Sequence, residues 1–157
     1  MLSLWLLLAS LVLSAYGAGQ VWLVQLSSYP LWRLVGPAEL RAYHAAWWRS
    51  IWGVVLAPAA LTCLGALLMI WLRPPHVAPV EIWLGAGLQA ALVLGTAVWW
   101  GPLMARLEAR TGGLDPERYS VLLGTHWLRV AIVTAYALLV AWMTAQALGA
   151  VGGSFRS

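Results

Sequence analysis

The side chains of this chain that could do chemistry stand beside or inside long apolar runs. His44 sits in the segment Tyr43-His44 to Trp47-Trp48-Arg49, and His126 and Arg129 sit in Thr125-His126-Trp127-Leu128-Arg129. An imidazole changes charge near neutral pH and can ligate a metal. A guanidinium is a permanent cation, and next to hydrocarbon it is paired, lines a cavity, or snorkels to the headgroups. Tyr43 and Arg49 add an aromatic ring and a second cation, a combination suited to an anionic or planar ligand. Gln25, near the end of the first apolar run, and Trp100, beside Gly101-Pro102 in the third, complete the candidate ligand-binding set of His44, His126, Arg129, Arg49, Tyr43, Gln25 and Trp100.

Helical spacing explains why these residues could meet. His126, Arg129, Val133, Tyr136 and Met143 form one stripe, and His44 shares a face with Trp48, Ile51 and Val55. Counted from helix starts expected near Gly36 and Asp115, both histidines lie within roughly 12 to 17 Å of those starts, at comparable depth. Gly101-Pro102 would open space beside His126 for a side chain or ligand. Gln89 and Thr96 share a face of the third run, where a hydrogen bond between helices accounts for them.

Other chemistries find little support. Cys63 is the lone cysteine, so neither a disulfide within the chain nor a thiolate cluster can form. No metal site is expected unless His44 and His126 act as axial ligands of a b-type haem. Glu81 and Glu108 fall at the ends of the third run and no acid lies mid-span, which argues against a carboxylate proton relay. The net charge of +4 comes from arginines dispersed over the chain, with no basic run for nucleic acid.

The elements that must position these groups follow from hydropathy. The chain of 157 residues is 62% hydrophobic, only 9% charged, and has a mean hydropathy of +0.81, outside the range of water-soluble domains. Four apolar stretches, at about 2–26, 48–72, 82–104 and 121–148, each reach the roughly 20 residues that a helix needs to cross a hydrocarbon core. Backbone amides in lipid must be satisfied within the segment, so the fold class is all-α: an integral membrane four-helix up-down bundle forming one transmembrane domain over 1–157. The first stretch has no basic residue before it and continues through Val21, Trp22 and Leu23, which predicts a retained span in place of a cleaved leader.

Up-and-down alternation places Arg33, Arg41, Arg49, Arg106, Arg110 and Arg118 on one side and Arg73 and Arg156 on the other. The arginine-rich side is then cytoplasmic, in a multi-pass protein of the cell inner membrane with both termini outside the cytoplasm. Many of the 12 tryptophans fall near span ends, as interfacial anchors do. Tyr29-Pro30 is expected to turn the chain, and Gly36, Pro37 and Glu39 to start the second helix. Asp115, Pro116 and Glu117 start the fourth, Gly112-Gly113 ends the third, and Gly152, Gly153 and Ser154 read as a loose tail. Pro58 and Pro102 fall inside spans, which requires neighbours to take up the carbonyls they free.

The strings Gln25-Leu26-Ser27-Ser28-Tyr29-Pro30-Leu31-Trp32, Val35-Gly36, Tyr43-His44 and Thr125-His126-Trp127-Leu128-Arg129 resemble those of a group of uncharacterised small bacterial four-span membrane proteins. The chain is more distantly similar in size and span count to anthrone-oxygenase-like membrane proteins, with no shared residue set from which catalytic positions carry over. The first resemblance implies a four-span membrane fold and no activity.

Three functions fit these residues. One is a polar pocket at the cytoplasmic end binding a small aromatic or quinone-like ligand. Another is a non-catalytic accessory subunit, with a larger membrane complex or a second copy of the chain as partner besides the lipid bilayer. The third is b-type haem binding. The residues name no reaction, cofactor or substrate.

Overall fold

In the computed structural model, which describes residues 1–107 and 113–154 with side chains through Gly149, the chain is a bundle of four long helices. They are α1 (Leu2–Leu34), α2 (Leu40–Trp71), α3 (Pro79–Ala105) and α4, whose spanning part is Pro116–Gly149. All four are long and apolar enough to cross a membrane, and no strand occurs among the described residues. The chain is accordingly a multi-pass, all-α membrane protein. Its helices outrun the apolar stretches because their first or last turns are amphipathic or polar. α4 continues as helix to Ser154, so Gly152 and Gly153 do not end it. Glu108, Arg110, Gly112 and Arg156 lie outside the described residues.

Three of the four helices are interrupted by a π-turn, each ending two residues before a proline. Val24–Ser28 precedes Pro30, Trp52–Leu56 precedes Pro58, and Thr96–Trp100 precedes Pro102. A proline has no amide hydrogen to donate, and its ring crowds the carbonyl four residues back. Widening the preceding turn relieves that crowding, and the backbone amides of Tyr29, Ala57 and Gly101 bond to the carbonyls of Val24, Trp52 and Thr96, five residues back. Helix α1 therefore passes straight through Tyr29-Pro30, where a turn was expected. It ends in the short 3-10 segment Trp32–Leu34.

The carbonyl that Pro58 frees is that of Val54. The Tyr16 hydroxyl donates to it at 2.9 Å and the Gln20 amide at 2.7 Å, both from α1, so a neighbouring helix satisfies it as membrane burial demands. Beyond this kink only Leu40 is buried in Leu40–Ile51, and nothing is buried in Trp52–Leu56. The first half of α2 thus stands off from the bundle, except where Leu40 is buried and where Tyr43, His44 and Trp47 meet the Trp32 ring.

The helix starts follow local chemistry. The Asp115 carboxylate accepts the amides of Glu117 and Arg118, both at 3.1 Å, capping α4. The Asp115 amide donates to the Leu107 carbonyl at 2.8 Å and Arg118 reaches the Arg106 carbonyl at 2.7 Å, closing the α3–α4 hairpin. Gly113 has φ +86°, a conformation glycine adopts without steric cost. Helix α2 starts at Leu40, later than Gly36-Pro37 suggested, with the Leu40 amide bonded to the Gly36 carbonyl at 3.0 Å. In the opposite connection His76 takes φ +62° directly after Pro75, as the third residue of a type II turn does.

Two buried clusters close the ends of the bundle. One holds Leu7, Ala66, Met69, Ile82, Val140 and Met143, with the Tyr136 ring at its edge. There α1 and α2 approach closely, since a Cβ on Gly65 would lie 2.8 Å from the Ser10 hydroxyl. The other holds Tyr29, Trp32, Trp100, Met104, Leu107, Tyr119 and Leu122, at the arginine-rich end. Between them the helices part.

Candidate functional site

The space between the clusters is a cavity of about 630 Å³ lined by all four helices. Its volume is in the range of small-molecule sites, roughly 300 to 1,000 Å³. One wall comes from α2 on both sides of its kink, including Trp47, Ile51, Val55 and Ala59. Leu64, Leu67 and Val93 line the cavity while standing about half exposed, so its mouth between α2 and α3 opens on an apolar, lipid-facing surface. The lining is mainly aliphatic and aromatic, with polar groups at two levels.

The first level is built on π-turns. Gln25 lies in the π-turn of α1 and Thr96 opens that of α3. The Gln25 amide nitrogen donates to the Leu123 carbonyl at 3.3 Å, which turns its oxygen toward His126, 2.7 Å from Nδ1. With the Gln25 oxygen as acceptor, Nδ1 of His126 is the donor of this bond, which in the neutral ring leaves Nε2 as an acceptor. His126 itself is buried and lines the cavity.

Arg129, one turn further along α4, donates to the Thr96 hydroxyl at 3.3 Å. The Thr96 hydroxyl in turn donates to the Leu92 carbonyl at 2.7 Å. The guanidinium carbon stands 4.5 Å from the centre of the Trp100 ring, a cation–π contact. Arg129 Nε is buried without a hydrogen-bond partner. Arg129 thus points inward to α3 and the cavity.

The second level lies seven positions along each of the same two helices. Among the described residues neither Gln89 on α3, which is buried and lines the cavity, nor the buried hydroxyl of Tyr136 on α4 has a side-chain hydrogen-bond partner. Thr96 with Arg129 and Gln89 with Tyr136 keep one antiparallel register. At about 1.5 Å per residue the two levels are roughly 10 Å apart along the helices.

Of the expected set, His126 and Arg129 line the cavity, Gln25 orients His126, and Trp100 carries the guanidinium on its face. His44, Tyr43 and Arg49 are outside the lining. They belong to the standing-off half of α2, where Tyr43 and Arg49 are exposed and His44 Nε2 accepts from Trp48 Nε1 at 3.1 Å. His44 and His126 share an end of the bundle, but two buried rings separate them. The centroids run from His44 to Trp32 at 5.6 Å, from Trp32 to Tyr29 at 5.3 Å, and from Tyr29 to His126 at 4.8 Å. Axial histidines face one another across a flat macrocycle, and Trp32 and Tyr29 fill that space. The donor set does not fit a bis-histidine haem.

Gly101 was expected to make room for a ligand, yet it serves the π-turn: a Cβ there would lie 2.7 Å from the Thr96 carbonyl oxygen. Gly95 makes the room, since a Cβ on it would meet the Trp100 ring at 2.5 Å. Tyr29, Gln20 and Tyr136 were missed as lining residues; Tyr136 had been placed on the polar stripe of α4, which was the available signal.

No family model matches the chain, and no curated protein or solved structure is significantly similar to it.

Proposed function

We propose that the protein is an intramembrane binding protein for a small, apolar-bodied aromatic or quinone-like ligand, which enters laterally from the bilayer. The single observation that carries this reading is the pair of polar levels inside one otherwise apolar cavity. Arg129 stands at one level and Gln89 and Tyr136 at the other, with hydrogen-bonding groups unspent at each. The apolar mouth suits a ligand dissolved in lipid, and Trp47 supplies an aromatic wall.

In the same reading the polar level faces the cytoplasmic leaflet of the inner membrane and both termini lie outside. Arg33 over the Tyr119 ring and Arg118 on the Arg106 carbonyl gather the arginine-rich connections at the Trp32–Tyr119 end, which supports that orientation.

Titration of the purified protein with a short-tailed benzoquinone, followed by native mass spectrometry, tests the function. One quinone per chain is expected, and Val133→Trp, which fills the cavity one turn inward from Arg129, should abolish it while the helical content stays unchanged. Binding that persists undiminished in Val133→Trp would remove the cavity from the explanation.

A further inference from the structure

We propose that the ligand of this cavity is a monoanion, an apolar body bearing one carboxylate-like group seated against Arg129. This rests on the reading of the cavity as a ligand site and adds the charge of the ligand to it, with benzoquinone as a neutral probe that fills the cavity without balancing Arg129.

Charge balance carries the inference. A guanidinium offers five N–H donors in a planar fork matched to a carboxylate. Arg129 uses one, on a neutral hydroxyl, and the face of Trp100 lies against its charge. Its Nε–H is buried and unspent. A buried cation without a counter-ion is strongly unfavourable in hydrocarbon, and neutral dipoles recover only part of what water supplied.

No carboxylate of the described residues is placed to pair with it. Glu81 sits at the far end of α3, held by the Ala78 amide at 2.9 Å, Trp142 at 2.9 Å and Gln146 at 2.6 Å. Asp115 caps α4 and pairs with Arg118 at 3.5 Å. Glu117 is in the exposed first turn of α4, and Glu39 precedes α2. Among the described residues none supplies the counter-charge, and an anionic ligand in the cavity would.

The same inventory sets the size of that charge. Arg129 is the one permanent cation among the cavity-lining residues. His126 is donor to Gln25 through Nδ1, and its neutral tautomer offers the cavity an acceptor without charge. A dianion such as a phosphate monoester would leave one charge unbalanced in an apolar chamber, and a neutral molecule would leave the arginine unbalanced. A single negative charge closes the account.

Calorimetric titration of the wild-type protein with a matched pair, 2-naphthoic acid and its neutral amide, at neutral pH decides the matter. The acid should bind at least about ten-fold more tightly than the amide, since a hydrogen bond to a charged group contributes roughly 1.5 to 3 kcal/mol. Arg129→Gln should erase that preference, and Arg129→Lys should retain part of it. Because the comparison of acid with amide uses the unaltered protein, it stands even where an Arg129 variant fails to fold. Dodecanoate competing with the acid and depending equally on Arg129 would support the monoanion while assigning the apolar body to an acyl chain. Equal binding of acid and amide, or binding of benzoquinone alone, would overturn the charge assignment and leave the cavity reading intact. Failure of all of these compounds to bind would overturn both.

Discussion

The side-chain oxygen of Gln25 stands 2.7 Å from Nδ1 of His126, across 101 positions of sequence. The bond joins the π-turn of α1 to the first third of α4, and it fixes the ring of a buried histidine that lines the cavity. A helical Gln25 in a regular α-turn would meet α4 at another angle; the π-turn set by Pro30 aims it.

Replacing Gln25 by Leu leaves the Nδ1–H of His126 without an acceptor in a buried site. A loss of about 1 to 3 kcal/mol in stability is expected, measured by reversible unfolding in mixed micelles. Gln25→Glu restores an acceptor and should recover a good part of that loss in the same assay. Equal loss in both variants would show that the hydrogen bond to His126 is not what Gln25 contributes.

The spans were legible because a hydrophobic helix crossing lipid leaves a long run that no turn residue interrupts. Asp115-Pro116-Glu117 was legible for a local reason, as a cap depends on its own neighbours in sequence. Helical spacing put His126 and Arg129 on one stripe of α4, while for Arg129 it left an inward course and snorkelling to the headgroups equally open. What stayed hidden was the response of helices to proline. In water Tyr29-Pro30 would end a helix, but in lipid a broken helix strands its amides, so the chain widens a turn and goes on. That choice carries Trp32 between His44 and His126 and separates the two imidazoles that spacing alone had brought together. On the same half of α2 Trp47 and Ile51 line the cavity, whereas His44 meets Trp32 and Tyr43 and Arg49 are exposed.

Capping of α4 gives a prediction independent of the cavity. Asp115→Ala removes the acceptor of two backbone amides and should lower stability by about 0.5 to 2 kcal/mol, whereas Asp115→Asn should cost much less. Thermal unfolding of both variants checks it, and benzoquinone binding should be unchanged in each.

The kink at Pro58 predicts a coupled pair. Gln20→Leu takes one of two donors from the Val54 carbonyl, which Pro58 leaves without its helical partner. A loss of about 1 kcal/mol is expected in the natural chain. In a Pro58→Ala background the residue at position 58 can donate to Val54 itself, and the Gln20→Leu loss should shrink. A double-mutant cycle on unfolding free energies reads the coupling directly. Additive effects would mean that Gln20 does not act through that carbonyl.

Gly95 offers a test of how the floor under Arg129 is kept. A Cβ at this position would stand 2.5 Å from the Trp100 ring, an approach that forces the ring to move. Trp100 is buried among Tyr29, Met104 and Leu122, so it cannot retreat into that cluster without disturbing native-like packing. The ring must tilt toward the cavity, beneath the guanidinium it now supports at 4.5 Å. Gly95→Ala is therefore expected to lower stability by about 1 to 3 kcal/mol, the usual range for overpacking. It should also weaken binding of the naphthoate probe several-fold, while Gly87→Ala on the same helix, where a Cβ meets nothing within 4 Å, leaves both properties unchanged. A Gly95→Ala protein that binds naphthoate as tightly as the natural chain would show that the position of the Trp100 ring does not govern the site.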